Sequence, residues 1–96
     1  MKMLMIICPE IRQEEVRALI AKHDVQSYSE IPGVLGAGKT GTHLGTHSFP
    51  GKSALVFTVV PTGKKDELVA ALKNYQAGLY EGEGLRVFAL PVEAIF

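Results

Sequence analysis

The chain has 96 residues, 47% of them hydrophobic and 21% charged, with ten basic side chains balanced by ten acidic ones and a single cysteine. Scaling surface with mass lets such a chain bury roughly two thirds of its unfolded surface, which supports one core and excludes a second independent domain. The charge balance excludes a general electrostatic footprint for nucleic acid, Cys8 alone excludes an intramolecular disulfide or a multi-thiolate zinc site, and the longest apolar run, Met3 to Cys8, is far too short to insert across a bilayer.

Met1-Lys2 leads straight into that run, without the apolar stretch and small-residue cleavage site of a secretory signal, so the expected location is cytoplasmic. The run itself lacks polar alternation and stops at Pro9, which predicts a first strand covered on both faces. From Glu10 to His23 the period changes. Val16, Leu19, Ile20 and His23 recur at helical spacing while Arg12, Glu14, Glu15, Arg17 and Lys22 lie elsewhere, which predicts an amphipathic helix. Val25 to Ile31 alternates weakly and reads as a second strand.

Residues 33–52 then hold six of the ten glycines, at 33, 36, 38, 41, 45 and 51. No regular element fits that composition, and a loop of about twenty residues inside a small domain is usually functional or disordered. Ala54 to Val60 is β-branched and aromatic and ends at Pro61, giving a third strand. Leu68, Ala71, Leu72 and Tyr75 mark a second helix, broken by Gly78, Gly82 and Gly84, and Leu85 to Leu90 forms the last strand.

The order βαββαβ is the split-βαβ arrangement of ferredoxin-like α+β domains: a four-stranded antiparallel sheet with two helices on one face, and here a long loop after strand two. The whole of 1–96 is read as one such domain. Two helices cover only one face of a sheet. Strands one and three are nevertheless apolar at odd and even positions alike, so the second face must be withdrawn from water by another subunit.

The opening Met1-Lys2 strand, the helix carrying Glu14-Glu15-Val16-Arg17-Ala18-Leu19, the exit Ser29-Glu30-Ile31-Pro32-Gly33 into a glycine-rich loop, and the closing Arg86-Val87-Phe88-Ala89-Leu90-Pro91-Val92-Glu93 resemble, in order and spacing, the PII signal-transduction proteins and their PII-like relatives. That resemblance implies a ferredoxin-like homotrimer that binds an adenine nucleotide (ATP, ADP, AMP or cyclic AMP) between subunits. It further implies that the long loop regulates a partner protein such as a transporter or an enzyme. No catalytic residues, required cofactor, nucleic acid or membrane insertion is expected. Glycines that let backbone N–H groups approach phosphate, followed by a basic residue, are found twice. Gly36-Ala37-Gly38-Lys39 resembles the family's loop-base segment, with Gly33 as first glycine in the alternative register; Gly82-Glu83-Gly84-Leu85-Arg86 resembles the turn before the last strand, with arginine in place of lysine. The nucleotide-site candidates are therefore Gly33, Gly36, Gly38, Lys39, Gly82, Gly84 and Arg86.

Two departures count. The family's further arginines beyond the last strand have no counterpart before Phe96, which weakens ATP as the nucleotide, and Tyr28, Tyr75 and Tyr80 all lie outside the loop, which argues against tyrosine nucleotidylation. The loop segments Gly41-Thr42-His43 and Phe49-Pro50-Gly51 resemble PII-like branches, some encoded beside metal-efflux or inorganic-carbon transport functions.

His43 and His47 raise an alternative, a metal-binding or metal-responsive protein holding a divalent ion such as zinc or copper. Against it, two imidazoles seldom hold a metal and no carboxylate lies between Pro32 and Lys52. His23 is read as structural, at the end of its helix. Cys8 is read as a small hydrophobe. Glu10, Glu14 and Glu15 are read as a solvated face complementing a helix dipole. Gly33-Val34-Leu35-Gly36-Ala37-Gly38-Lys39-Thr40 matches a P-loop by letter, but Gly41-Thr42-His43-Leu44-Gly45 cannot open the helix that a P-loop requires next.

Overall fold

The computed structural model describes residues 1–38, 41–43, 52–80 and 83–96. In chain order the elements are β1 (Lys2–Pro9), a short 3-10 turn (Glu10–Arg12), α1 (Gln13–Lys22), β2 (Ser29–Val34), β3 (Gly36–Gly38), β4 (Gly41–His43), β5 (Ser53–Val60), α2 (Thr62–Gln76) and β6 (Arg86–Pro91). The main sheet runs β2-β5-β1-β6 with every pair antiparallel, the ferredoxin-like order.

The period-2 rule sorts β1 and β5 into two faces. Leu4, Ile6 and Cys8, with Ala54, Val56 and Val60, are buried in one cluster with Val16 and Ile20 of α1 and Leu68 and Leu72 of α2. Both helices therefore cover the same face, and the stripes at helical spacing point into it. Pro61 precedes α2 in an extended conformation, its carbonyl receiving the Lys65 N–H at 3.0 Å, so the first turn closes immediately after β5.

Two expectations need correction. The second strand begins at Ser29, not Val25, because α1 ends in a turn that folds Val25 back: Asp24 takes a left-handed φ of 64° and the Val25 N–H returns to the Ile20 carbonyl at 3.1 Å. Val25 thereby joins the core, and the Ser27 carbonyl is taken by the buried Thr58 hydroxyl at 2.6 Å. The glycine-rich loop also contains regular structure. β3 and β4 pair as a short antiparallel hairpin, Gly36 opposite His43 and Gly38 opposite Gly41. Backbone ladders need no side chains, so composition hides it.

The other sheet face is apolar and bare. Met3, Met5 and Ile7 of β1 stand there with Leu55, Phe57 and Val59 of β5; cross-strand pairing adds Phe88 and Leu90 of β6 and Ile31 of β2. Phe88 is 52% exposed and Ile31 47%. Single chains rarely leave so continuous an apolar surface in water.

Candidate functional site

The two glycine segments lie at the same end of the sheet. Val34, at the end of β2, and Pro9, at the end of β1, both stand opposite Ser53, while Arg86 opens β6 opposite Ile7. Arg86 thus projects on the bare face, is exposed, and has no ion-pair partner among the described residues. Gly84 is exposed just before it, and a Cβ there would meet nothing within 4 Å. Gly33 and Arg86 occupy the two outer strands, so three strand spacings, about 14 Å, separate them within one chain. One phosphate cannot touch both in a single copy.

Gly33 is held in a special geometry. The β2–β5 register shifts between Ile31 and Val34, and Gly33 lies within that irregularity with φ of 69°, the left-handed region that glycine adopts without steric cost. Its N–H donates to Glu10 Oε2. Glu30, on the helix-covered side of β2, accepts Arg17 Nε at 3.1 Å and Gln13 Nε2 at 3.1 Å, tying that edge strand to α1.

The turn before β6 is clamped from across the fold. Arg12 forms a bidentate pair with Glu83, Nη2 to Oε1 at 2.8 Å and Nε to Oε2 at 3.1 Å, and its Nη1 donates to Glu15 at 3.0 Å. The guanidinium also lies 5.8 Å from the Tyr80 ring centroid. Glu83 Oε1 accepts the Tyr80 N–H at 3.2 Å, Gln76 Oε1 accepts the Leu85 N–H at 2.7 Å, and the Tyr75 hydroxyl donates to Glu15 at 2.8 Å. The 3-10 turn after β1, α1, α2 and the turn before β6 are therefore one polar network, which fixes where Arg86 begins its strand.

The remaining candidates are dispersed. Gly36 and Gly38 lie in β3, and His43 in β4. Lys39, Gly82 and His47 lie outside the described residues. Among the described residues no three His, Cys, Asp or Glu side chains gather as a metal would require. The P-loop match is a strand at Gly36–Gly38. Cys8 is 1% exposed, and burial, reinforced by the Glu30 charge, pushes its thiol up to about 11, the behaviour of a core residue. His23 caps α1 and pairs with Glu67 at 2.7 Å, a structural link to α2. The solvated-face reading fails for Glu10 and Glu15, which bind Gly33 and the Arg12–Tyr75 network. The two best-defined concavities, one between the helices and one along α2 and β6, include none of Gly33, Gly36, Gly84 or Arg86.

The network carries a pH signature. Hydrogen bonds from Arg12 hold the Glu83 carboxyl below the usual range, and the Tyr75 hydroxyl followed by Arg12 does the same for Glu15. Folded values below the unfolded ones mean that this stabilisation is present at neutral pH and is lost as pH falls through the folded values. Glu15 is half exposed, so solvent screens its share. Burial and the Glu15 partner push Tyr75 up to about 12, a contribution present at neutral pH and lost only as pH rises toward that value. Urea midpoints should therefore fall on acidification. Arg12→Ala should lower the midpoint at neutral pH and flatten the acid dependence; an unchanged dependence would detach these carboxylates from Arg12.

Comparison with known proteins bears on this geometry. The family model for Nitrogen regulatory protein P-II matches residues 1–96. The chain belongs to the P-II nitrogen regulatory protein family. No curated protein gives a significant match. Among solved structures, CPII of Thiomonas intermedia K12 bound to ADP and bicarbonate superposes with a TM-score of 0.71 at 19% identity, covering 95% of this chain and 86% of that one. CPII bound to ADP, AMP and bicarbonate gives 0.69 at 17% identity, covering 96% and 93%. The apo form of CPII gives 0.66 at 16% identity, covering 95% and 89%. CPII is described as a nitrogen regulatory PII-like protein, and the likeness at these identities is one of fold. No helix of the described residues is long and apolar enough to cross a membrane.

Proposed function

We propose that this chain is a single-domain, homotrimeric PII-like regulator that binds an adenine nucleotide between subunits and governs a partner protein through residues 33–52. The observation that carries this reading is the bare apolar sheet face with both glycine segments at one end of it. Covering that face with further copies removes Met5, Phe57 and Phe88 from water. It also lets the β2 foot of one subunit approach the β6 turn of a neighbour, which one chain holds about 14 Å apart. CPII, of the same fold, is described with ADP, AMP and bicarbonate bound, which supports an adenine nucleotide as the effector.

In this reading the Gly84 N–H and the Arg86 guanidinium meet a phosphate, and the segment from Gly33 to Gly38 lines the other side. Arg12 acts through Glu83 to hold the turn in place. Calorimetric titration with ADP, AMP, cyclic AMP and ATP tests it. ADP or AMP should bind best, and Arg86→Gln should weaken binding roughly tenfold to a hundredfold, the worth of one charge-assisted contact, with the subunit assembly intact. Equal affinity in Arg86→Gln would remove that residue from the site; absence of binding by any adenine nucleotide would remove the function.

A further inference from the structure

One residue of the turn after β1 holds both feet of the long loop. The Glu10 backbone N–H donates to the Lys52 carbonyl at 2.7 Å, just before β5, while its carboxylate accepts the Gly33 N–H near the end of β2. At the bulge Gly33 adopts its left-handed conformation, and its N–H goes to the carboxylate instead of a strand carbonyl. Among the described residues no lysine, arginine or histidine forms an ion pair with Glu10. The oxyanion on this N–H is supplied by the chain itself, with no described cation to hold it there.

We infer that the Glu10 carboxylate is an internal occupant of an anion position at Gly33, which an incoming phosphate or bicarbonate oxygen must displace. The consequence is coupling. When the carboxylate leaves, the β2 foot loses its tie to the turn after β1, while the β5 foot keeps the backbone bond from Glu10 to Lys52. Anion binding and release of one foot of the loop are then a single event, and the cost of displacing the carboxylate lowers the apparent affinity of the site. Glu10 thereby sets both the affinity for the effector and the position of the loop it controls. The position of the anion rests on the Gly33–Glu10 geometry, and only its identity as a nucleotide phosphate rests on the function proposed above.

The test is calorimetric titration of the full chain and of Glu10→Ala and Glu10→Gln with ADP, bicarbonate and inorganic phosphate, with the Gly33 amide followed by NMR. Glu10→Ala should bind the anion roughly three- to tenfold more tightly than the wild type, with Glu10→Gln at or below that gain. In the wild type the Gly33 amide resonance should move on saturation. Equal or weaker ADP binding by Glu10→Ala, with the wild-type Gly33 amide unmoved, would overturn the inference and leave the nucleotide reading standing. Tighter phosphate or bicarbonate binding by Glu10→Ala, with no ADP bound by any of the three proteins, would support the inference and remove the nucleotide reading. No anion bound by any of them would overturn both.

Discussion

Phe88→Asp should prevent the proposed trimer from forming and leave single chains. Phe88 stands on the bare sheet face opposite Met5, which in turn stands opposite Phe57, so these three side chains form a row across the middle of β6, β1 and β5. A carboxylate in that row would have to be buried without a partner on assembly, at a cost of several kcal/mol per copy, and a trimer buries it three times over. In the single chain the same position is 52% exposed, so the fold itself should survive. Sedimentation should report one chain for the variant against three for the wild type, with unchanged helix content by circular dichroism. An assembled Phe88→Asp protein would show that the bare face is not the interface.

Ile6→Ala should be the most destabilising of the simple truncations. Ile6 is fully buried, at the centre of β1, and packs in the cluster that includes Val16, Ile20, Leu68 and Leu72 from both helices. β1 is also flanked on both sides, by β5 and β6, so the surrounding backbone has little freedom to collapse into the space. Removing three buried carbons costs about 2–5 kcal/mol, lost transfer energy plus the cavity left behind. Against a typical net stability of about 5–15 kcal/mol, that should lower the urea midpoint by a large fraction of its value. Ile11→Ala serves as the control. Ile11 lies only five residues along the chain, is 72% exposed, and should shift the midpoint little. Comparable losses at the two positions would mean that the core assignment is wrong.

Much of this architecture is legible in the residues because it is written in short periods. Val16 with Ile20 and Leu68 with Leu72 announce their helices and the face each buries. The apolar residues at both odd and even positions of β1 and β5 announce two faces, of which the helices cover one. The illegible parts are held by contacts without a local pattern. The β3–β4 hairpin uses glycine backbone, so no side-chain alternation marks it. The late start of β2 follows the left-handed Asp24 and the Val25 N–H returning to Ile20, and the Ser27 carbonyl before the strand is taken by the Thr58 hydroxyl, 31 positions away in sequence.

The candidate site divides the same way. Its glycines and Arg86 stand out in the sequence because glycine-rich turns followed by a basic residue have a local chemistry. The residues that organise the site do not. Arg12 and Glu83 are 71 positions apart, and Glu10 and Gly33 are 23 apart. The only sequence signal for the first pair is an acidic residue between two glycines, where a solvated turn is the simpler reading. For the second, Glu10 merges by spacing with an acidic run at the start of a helix, although the helix itself begins only at Gln13.

In the proposed function a nucleotide bridges two copies of this chain at one end of their sheets. A crystal structure of the ADP complex tests it most directly. The subunits should pack through the face bearing Met5, Phe57 and Phe88. The diphosphate should lie between the Glu83–Arg86 turn of one subunit and the Gly33–Gly36 segment of another, with the Arg86 guanidinium on a phosphate oxygen. ADP bound wholly within one subunit, in the groove between α1 and α2, with the apolar sheet face still bare, would contradict it.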